Sequence, residues 1–180
     1  MNGILIGILV VVVLVVVWYI GTSNSIKTLD LKVQEGESGI DVALTKRYDV
    51  LTKMLDTVKG YMTHEQSTLV QMVQLRSGMS MNERNAANKS MDEVAKQINI
   101  MAENYPELKS SNNFVMLQNT ITDVEEHLQA ARRLYNSNVN AYNAKIVVFP
   151  NSIVANAMGA REKQFFEAEE TKRQDVQMTF

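Results

Sequence analysis

Apolar residues follow two rhythms in this chain. From Ile4 to Ile20 they are unbroken, ILIGILVVVVLVVVWYI, with no charge. Beyond Ser25 they return every third or fourth position with charged residues between. The first rhythm suits a helix crossing a bilayer, whose core is about 30 Å thick and takes roughly 20 apolar residues. Helix is the one form in which a lone segment satisfies its own backbone hydrogen bonds inside lipid. Gly3 and Gly21 extend the run, so a transmembrane helix is expected over 4–21, with 1–3 outside it. Trp18 and Tyr19 stand where amphipathic rings favour the headgroup layer. A cleaved signal peptide would start with basic residues and exit through small ones. Met1-Asn2-Gly3 and Trp18-Tyr19-Ile20 fit neither requirement.

The second rhythm places side chains on one face of a helix. Its first stripe is Ile26, Leu29, Val33, Gly36, Ile40, Leu44, Tyr48, Leu51, Leu55 and Val58. Lys27, Asp30, Lys32, Gln34, Glu35, Glu37, Lys46, Arg47 and Lys53 fall between and form the expected solvated face. Thr22 to Ser25 is either a joint with a capping Ser23 or Asn24, or part of one continuous helix. Gly36 and Gly39 suit close approach of a neighbouring helix, a local break being the alternative. Gly60 is a stop or a kink. After it, Leu69, Met72, Val73 and Leu75 predict a shorter helix ending near Ser77-Gly78, and the polar run Met79 to Asn88 reads as turn.

Met91, Val94, Ile98, Met101 and Tyr105 predict another helix, ended by Pro106 because the residue before proline avoids helical angles. A cap among Ser110, Ser111, Asn112 and Asn113 opens the cleanest stripe: Phe114, Leu117, Ile121, Val124, Leu128, Ala131, Tyr135, Val139, Tyr142, Ile146 and Phe149, stopping at Pro150. Ile153, Val154, Ala157 and Met158 suit a short helix before Gly159, and Phe165-Phe166 is the last apolar anchor. The mixed, charged stretch 167–180 reads as a disordered tail. The expected fold is all-α: an N-terminal transmembrane helix, then an up-and-down antiparallel four-helix bundle over 22–166.

Composition narrows the function without naming it. The net charge of −2 offers no basic field for nucleic acid, and the absence of Cys removes disulfides, thiolate metal sites and a Cys nucleophile. Lys27, Lys32, Lys46 and Arg47 come after the apolar run and no basic residue precedes it. The positive-inside rule therefore places the N-terminus out and the helices in the cytoplasm. The two His residues, His64 and His127, give no zinc spacing and no Glu-x-x-His. Asp123 and His127 stand at i and i+4 and could share a ligand, though a solvated pair is the simpler reading. Tyr135-Asn136, Tyr142-Asn143 and Phe149 form an aromatic ladder. It suits helix packing, with the Asn side chains fixing register. A pocket for an apolar ligand beside Tyr135 and Tyr142 is the alternative. The mid-chain Met residues 54, 62, 72, 79, 81, 91 and 101 suit an irregular core or an adaptable partner surface. Asn88-Lys89-Ser90 matches a glycosylation sequon, a short pattern without weight in this context. Catalytic, cofactor and metal residues are all expected to be none.

Several runs are those of a known family. They include Ile40-Asp41-Val42-Ala43-Leu44 with Lys46-Arg47-Tyr48-Asp49, and Thr57-Val58-Lys59-Gly60-Tyr61 with His64-Glu65. Later ones are Tyr105-Pro106-Glu107-Leu108-Lys109, Asn113-Phe114, Tyr135-Asn136, Tyr142-Asn143, Phe149-Pro150 and Phe166-Glu167. With these the chain resembles the LemA family of bacterial membrane-anchored helical proteins. It departs where the family usually has Pro after Tyr-Asp, here Val50-Leu51, and in having Ala160 after Gly159. The resemblance implies a cytoplasmic four-helix bundle on one anchor, with no catalytic residues. Some members of that family look associated with a membrane zinc metalloprotease, which makes such an enzyme one candidate partner. The anchor, the long helices and the missing catalytic groups lead separately to the expectation of a protein partner or a homo-oligomer. The expected role is a membrane-tethered scaffold, with lipid contacts through 4–21.

Overall fold

The computed structural model describes residues 2–61, 75 and 78–166. Among them every regular element is helical: α1 (Asn2–Tyr61), α2 (Met81–Asn104), α3 (Pro106–Ser110), α4 (Asn112–Val147) and α5 (Asn151–Ala157). The expected helix around Leu69 to Val73, with His64, Met62 and Met72, and the tail 167–180 lie outside the described residues.

Helix α1 runs without interruption through Thr22–Ser25, so the joint there is absent and the continuous alternative holds. Ser23 and Asn24 cap nothing. Side chains from Gly3 to Gly21 are exposed, and the helix is long and apolar enough to cross a membrane. Past Ser25 one face turns inward: Ile26, Val33, Ile40, Leu44, Leu51, Leu55 and Val58 are buried. Arg47 corrects the expected solvated face, because it is only 3 % exposed. Its position explains this, three residues after Leu44 and four before Leu51 on the buried side.

The polar run Met79 to Asn88 is not a turn. Helix α2 starts at Met81 with a reciprocal capping box: Glu83 N donates to Ser80 Oγ at 3.4 Å, and Ser80 N donates to Glu83 Oε2 at 2.8 Å. Both orphan donors are satisfied at once. Met81, Arg84 and Ala87 carry the buried face back from Met91, Val94 and Ile98. Tyr105 ends α2, and Pro106 occupies the first turn of α3, where its missing N–H costs nothing. Ser111 Oγ then accepts from Phe114 N at 3.3 Å and caps α4.

The chain forms two compact units, and α1 and α4 contribute to both. The first is Met1–Glu37 with Leu134–Gln164. Here α1 and α4 run antiparallel. A Cβ at Gly36 would lie 3.1 Å from the Tyr135 Cα, and Asn138 Nδ2 donates to the Lys32 carbonyl at 2.8 Å. The second unit is Ser38–Arg133 with the residues from Phe165 onward. Its buried residues include Leu44, Leu51, Val58, Met91, Ile98, Leu108, Phe114 and Leu128. Asp41 meets Arg84 while Arg47 meets Asn88 and Asp92, so α1 and α2 run parallel. Arg47 also meets Glu125, which puts α4 beside both.

Candidate functional site

Two polar constructions stand out, one in each unit. In the second unit the Arg47 guanidinium is surrounded. Its Nε donates to Glu125 Oε1 at 2.6 Å, its Nη1 to Asn88 Oδ1 at 2.6 Å, and its Nη2 to Asp92 Oδ1 at 2.5 Å. Nearby, Arg84 grips Asp41 with two parallel bonds of 2.5 and 2.8 Å. A buried guanidinium needs this kind of fork geometry and full pairing to offset its lost hydration. These bonds tie α1 to α2 and α4.

The first unit holds the more open construction. Beyond α5, Gly159 adopts φ +68°, and the chain then runs without helix to Gln164. Helix α4 straps this segment down. Tyr135 Oη donates to the Gln164 carbonyl at 2.8 Å. The Asn143 amide makes a two-way contact, Nδ2 donating to the Lys163 carbonyl at 2.9 Å and Oδ1 accepting from Lys163 N at 2.8 Å. Lys163 Nζ then pairs with Asp30 Oδ1 at 2.9 Å and lies 5.7 Å from the Tyr142 ring centroid. Asp30 holds the Lys163 ammonium above its ordinary 10.5, against partial burial that pulls the other way, with Tyr142 and Glu37 adding to the rise.

Between strap and α1 lies a groove of about 530 Å³, with Ile26, Leu31, Tyr142 and Met158 on its apolar side. Lys27, Arg161 and Glu162 line it as well. The groove is therefore amphipathic, with both signs of charge, and suits a small molecule having an apolar part and a polar head.

The residues singled out in sequence divide unevenly. Tyr142 lines the groove; Tyr135 is buried, lies outside the lining, and uses its hydroxyl to hold the strap. Phe149 leaves the ladder altogether: α4 ends at Val147, and the ring is 77 % exposed. Asn143 secures a strap rather than helix register, and Asn138 ties α4 to α1. His127 and Asp123 are exposed, and His127 Nδ1 lies 2.7 Å from the Asp123 main-chain carbonyl instead of its carboxylate. Among the described residues no three His, Cys, Asp or Glu side chains converge on a point that could hold a metal. Sequence reasoning missed Arg84 and Lys163 and misplaced Arg47. The position of Arg47 between Leu44 and Leu51 was the available signal; Lys163 had none, because its partner Asp30 is far away in sequence.

Described residues whose regular elements are all helical, led by one helix long and apolar enough to cross a membrane, define a class of helical proteins with an N-terminal apolar helix. The family model of the LemA family matches residues 36–180, and this chain belongs to that family. It is 30% identical over 163 residues to Protein LemA of Metamycoplasma hominis, covering 88% of this chain and 74% of that protein.

Proposed function

We propose that this protein is a membrane-tethered helical scaffold. Residues 4–21 anchor it, its helices stand in the cytoplasm, and it acts by holding a protein partner or a second copy of itself rather than by catalysis. The observation that carries this reading is the exposure of every side chain from Gly3 to Gly21, in a helical stretch without charge. In water such a surface would cost roughly 25 cal/mol for each Å² of apolar area left uncovered. Lipid removes that cost. Lys27 and Lys32, just past the span, favour the cytoplasmic side for the helices beyond it.

The scaffold is a four-helix up-and-down bundle in this reading. Parallel α1 and α2 support it. Arg84, in the first turn of α2, meets Asp41, about 30 Å back along α1 from Tyr61 at 1.5 Å per residue. The fourth helix of this reading is the one the Leu69–Leu75 sequence pattern predicts.

Protease added to intact spheroplasts tests the orientation. The helical part is expected to survive outside protease and to be digested after lysis; digestion from outside overturns the cytoplasmic assignment. Crosslinking in living cells tests the scaffold, expected to trap a defined partner or a dimer. A chain that stays an uncrosslinked monomer speaks against it.

The groove beside Tyr142 favours a second reading, a ligand-binding module for a small amphipathic molecule. Native mass spectrometry of the purified full chain distinguishes the two. A bound mass lost in Tyr142→Ala supports the module, and a bare chain counts against it.

A further inference from the structure

The α4–α5 connection carries an apolar surface that no described residue covers. Val147 is 55 % exposed, Val148 54 %, Phe149 77 % and Ile153 57 %. No charged residue occurs between Lys145 and Arg161, although most of this stretch lies at the surface. Its place in the first unit is fixed by contacts at both ends. Asn138 stands against Lys32, and α4 runs antiparallel to α1, so nine residues further on Val147 reaches the level of Ser23. After α5 the chain is at the same level, where Ser23 Oγ donates to Met158 Sδ at 3.3 Å. Ser23 is about 4.5 Å past Ile20 along the helix at 1.5 Å per residue. The headgroup layer on each side of the hydrocarbon core is about 5–7 Å deep. Trp18 and Tyr19, both partly exposed, stand at the same end of the span.

We propose that Val147, Val148, Phe149 and Ile153 insert into the bilayer interface next to the α1 anchor, so that the first unit contacts lipid at two points. This rests on the membrane-anchored reading of residues 4–21. The exposed apolar side chains of α1 run to Ile20, and those of the α4–α5 connection begin at the level of Ser23, about 4.5 Å along the axis, so one lipid surface reaches both. Lys145 and Arg161 flank the patch as cations do beside a headgroup layer. Phe149, two residues past Val147 and within about one or two helical turns of Trp18 and Tyr19 along the axis, adds an aromatic ring from a second element to the interfacial layer. The physical gain is orientational: two lipid contacts fix the tilt of the unit, which a single helix leaves free.

The absence of Cys makes the test direct. Phe149→Cys, Val12→Cys and Glu35→Cys are made singly in the full chain and labelled with an environment-sensitive fluorophore. Each is reconstituted into phosphatidylcholine–phosphatidylglycerol vesicles with or without a lipid-borne quencher. Helicity by circular dichroism confirms that each variant folds. The expected result is a blue shift and loss of emission with quencher at positions 12 and 149, and neither at 35. Loss at 12 but not at 149 overturns the interfacial contact and leaves the anchor standing. Equal loss at 149 and 35 also overturns it, because the contact would not be specific to the patch. No loss at 12 overturns the anchor, and the inference with it. A label at 149 shielded from aqueous iodide yet untouched by the lipid quencher assigns the patch to a protein neighbour and likewise overturns it.

Discussion

Arg47 joins three helices through one guanidinium, with Glu125, Asn88 and Asp92 each within 2.6 Å of it. Arg47→Met keeps most of the length of the side chain and removes the charge. It leaves Asp92 and Glu125 partly buried without a counter-ion, and breaking such a pair costs about 3 kcal/mol or more. The full chain in detergent is expected to lose several degrees in melting temperature by circular dichroism. An unchanged melt would mean that water serves the two carboxylates as well as Arg47 does. Two glycines of α1 make a sharper contrast. At Gly39 a Cβ meets nothing within 4 Å, so Gly39→Ala is expected to stabilise by about 0.5–1 kcal/mol through helix propensity. At Gly36 a Cβ meets the Tyr135 backbone at 3.1 Å, so Gly36→Val forces α4 outward and is expected to destabilise by about 1–3 kcal/mol. The stripe Ile26 to Val58 made both glycines candidates for a close approach. Only the neighbour's position separates them.

The strap over 158–164 has no helix of its own and depends on side chains of α4. Removing the hydroxyl in Tyr135→Phe and the amide in Asn143→Ala takes away three hydrogen bonds, each worth about 1 kcal/mol net. The double variant is expected to be cut by trypsin after Arg161 and Lys163 faster than the parent while keeping its helicity. Cutting at the parent rate would show that the Lys163–Asp30 pair and the packing of Met158 hold the segment without these three bonds. The Lys163 pair adds a pH dependence. Its folded-state pKa lies above the unfolded 10.5, so the ion pair stabilises fully below that pH and is lost as pH rises through the folded value. Melting temperatures of parent and Lys163→Met are therefore expected to differ at neutral pH and to converge well above 10.5. A difference that persists there would point to the stem of the side chain rather than its charge. Periodicity found α1, α2 and α4 because burying one face is a local property of spacing. It missed the start of α2, where Ser80 and Glu83 in fact carried the capping signal.

For the whole chain the decisive comparison is with a form lacking residues 2–21. The full chain is expected to stay with membranes after an alkaline carbonate wash. The shortened form is expected in the supernatant after ultracentrifugation without detergent, with its helicity retained. A full chain found in the supernatant would remove the anchor. A shortened form that lost its helicity would show that α1 needs its first residues to fold.

Ile4–Ile20, the stripes beyond it and the breaks at Pro106 and Pro150 were legible without coordinates, because chain-local forces set them: transfer of apolar side chains out of water, and proline's missing donor. The run of matching residues from Ile40 to Phe166 was enough to place the family. Three features came only from the folded chain. Arg47 is buried because Glu125, Asn88 and Asp92 arrive from other helices to pair it. Tyr142 opens onto a groove because 158–164 folds back across α1, which depends on Gly159 and on Asn143 reaching Lys163. Phe149 is exposed, though it keeps the spacing of the stripe, because α4 ends two residues before it. Each depends on partners distant in sequence or on where a helix stops in space, and spacing along a single chain encodes neither.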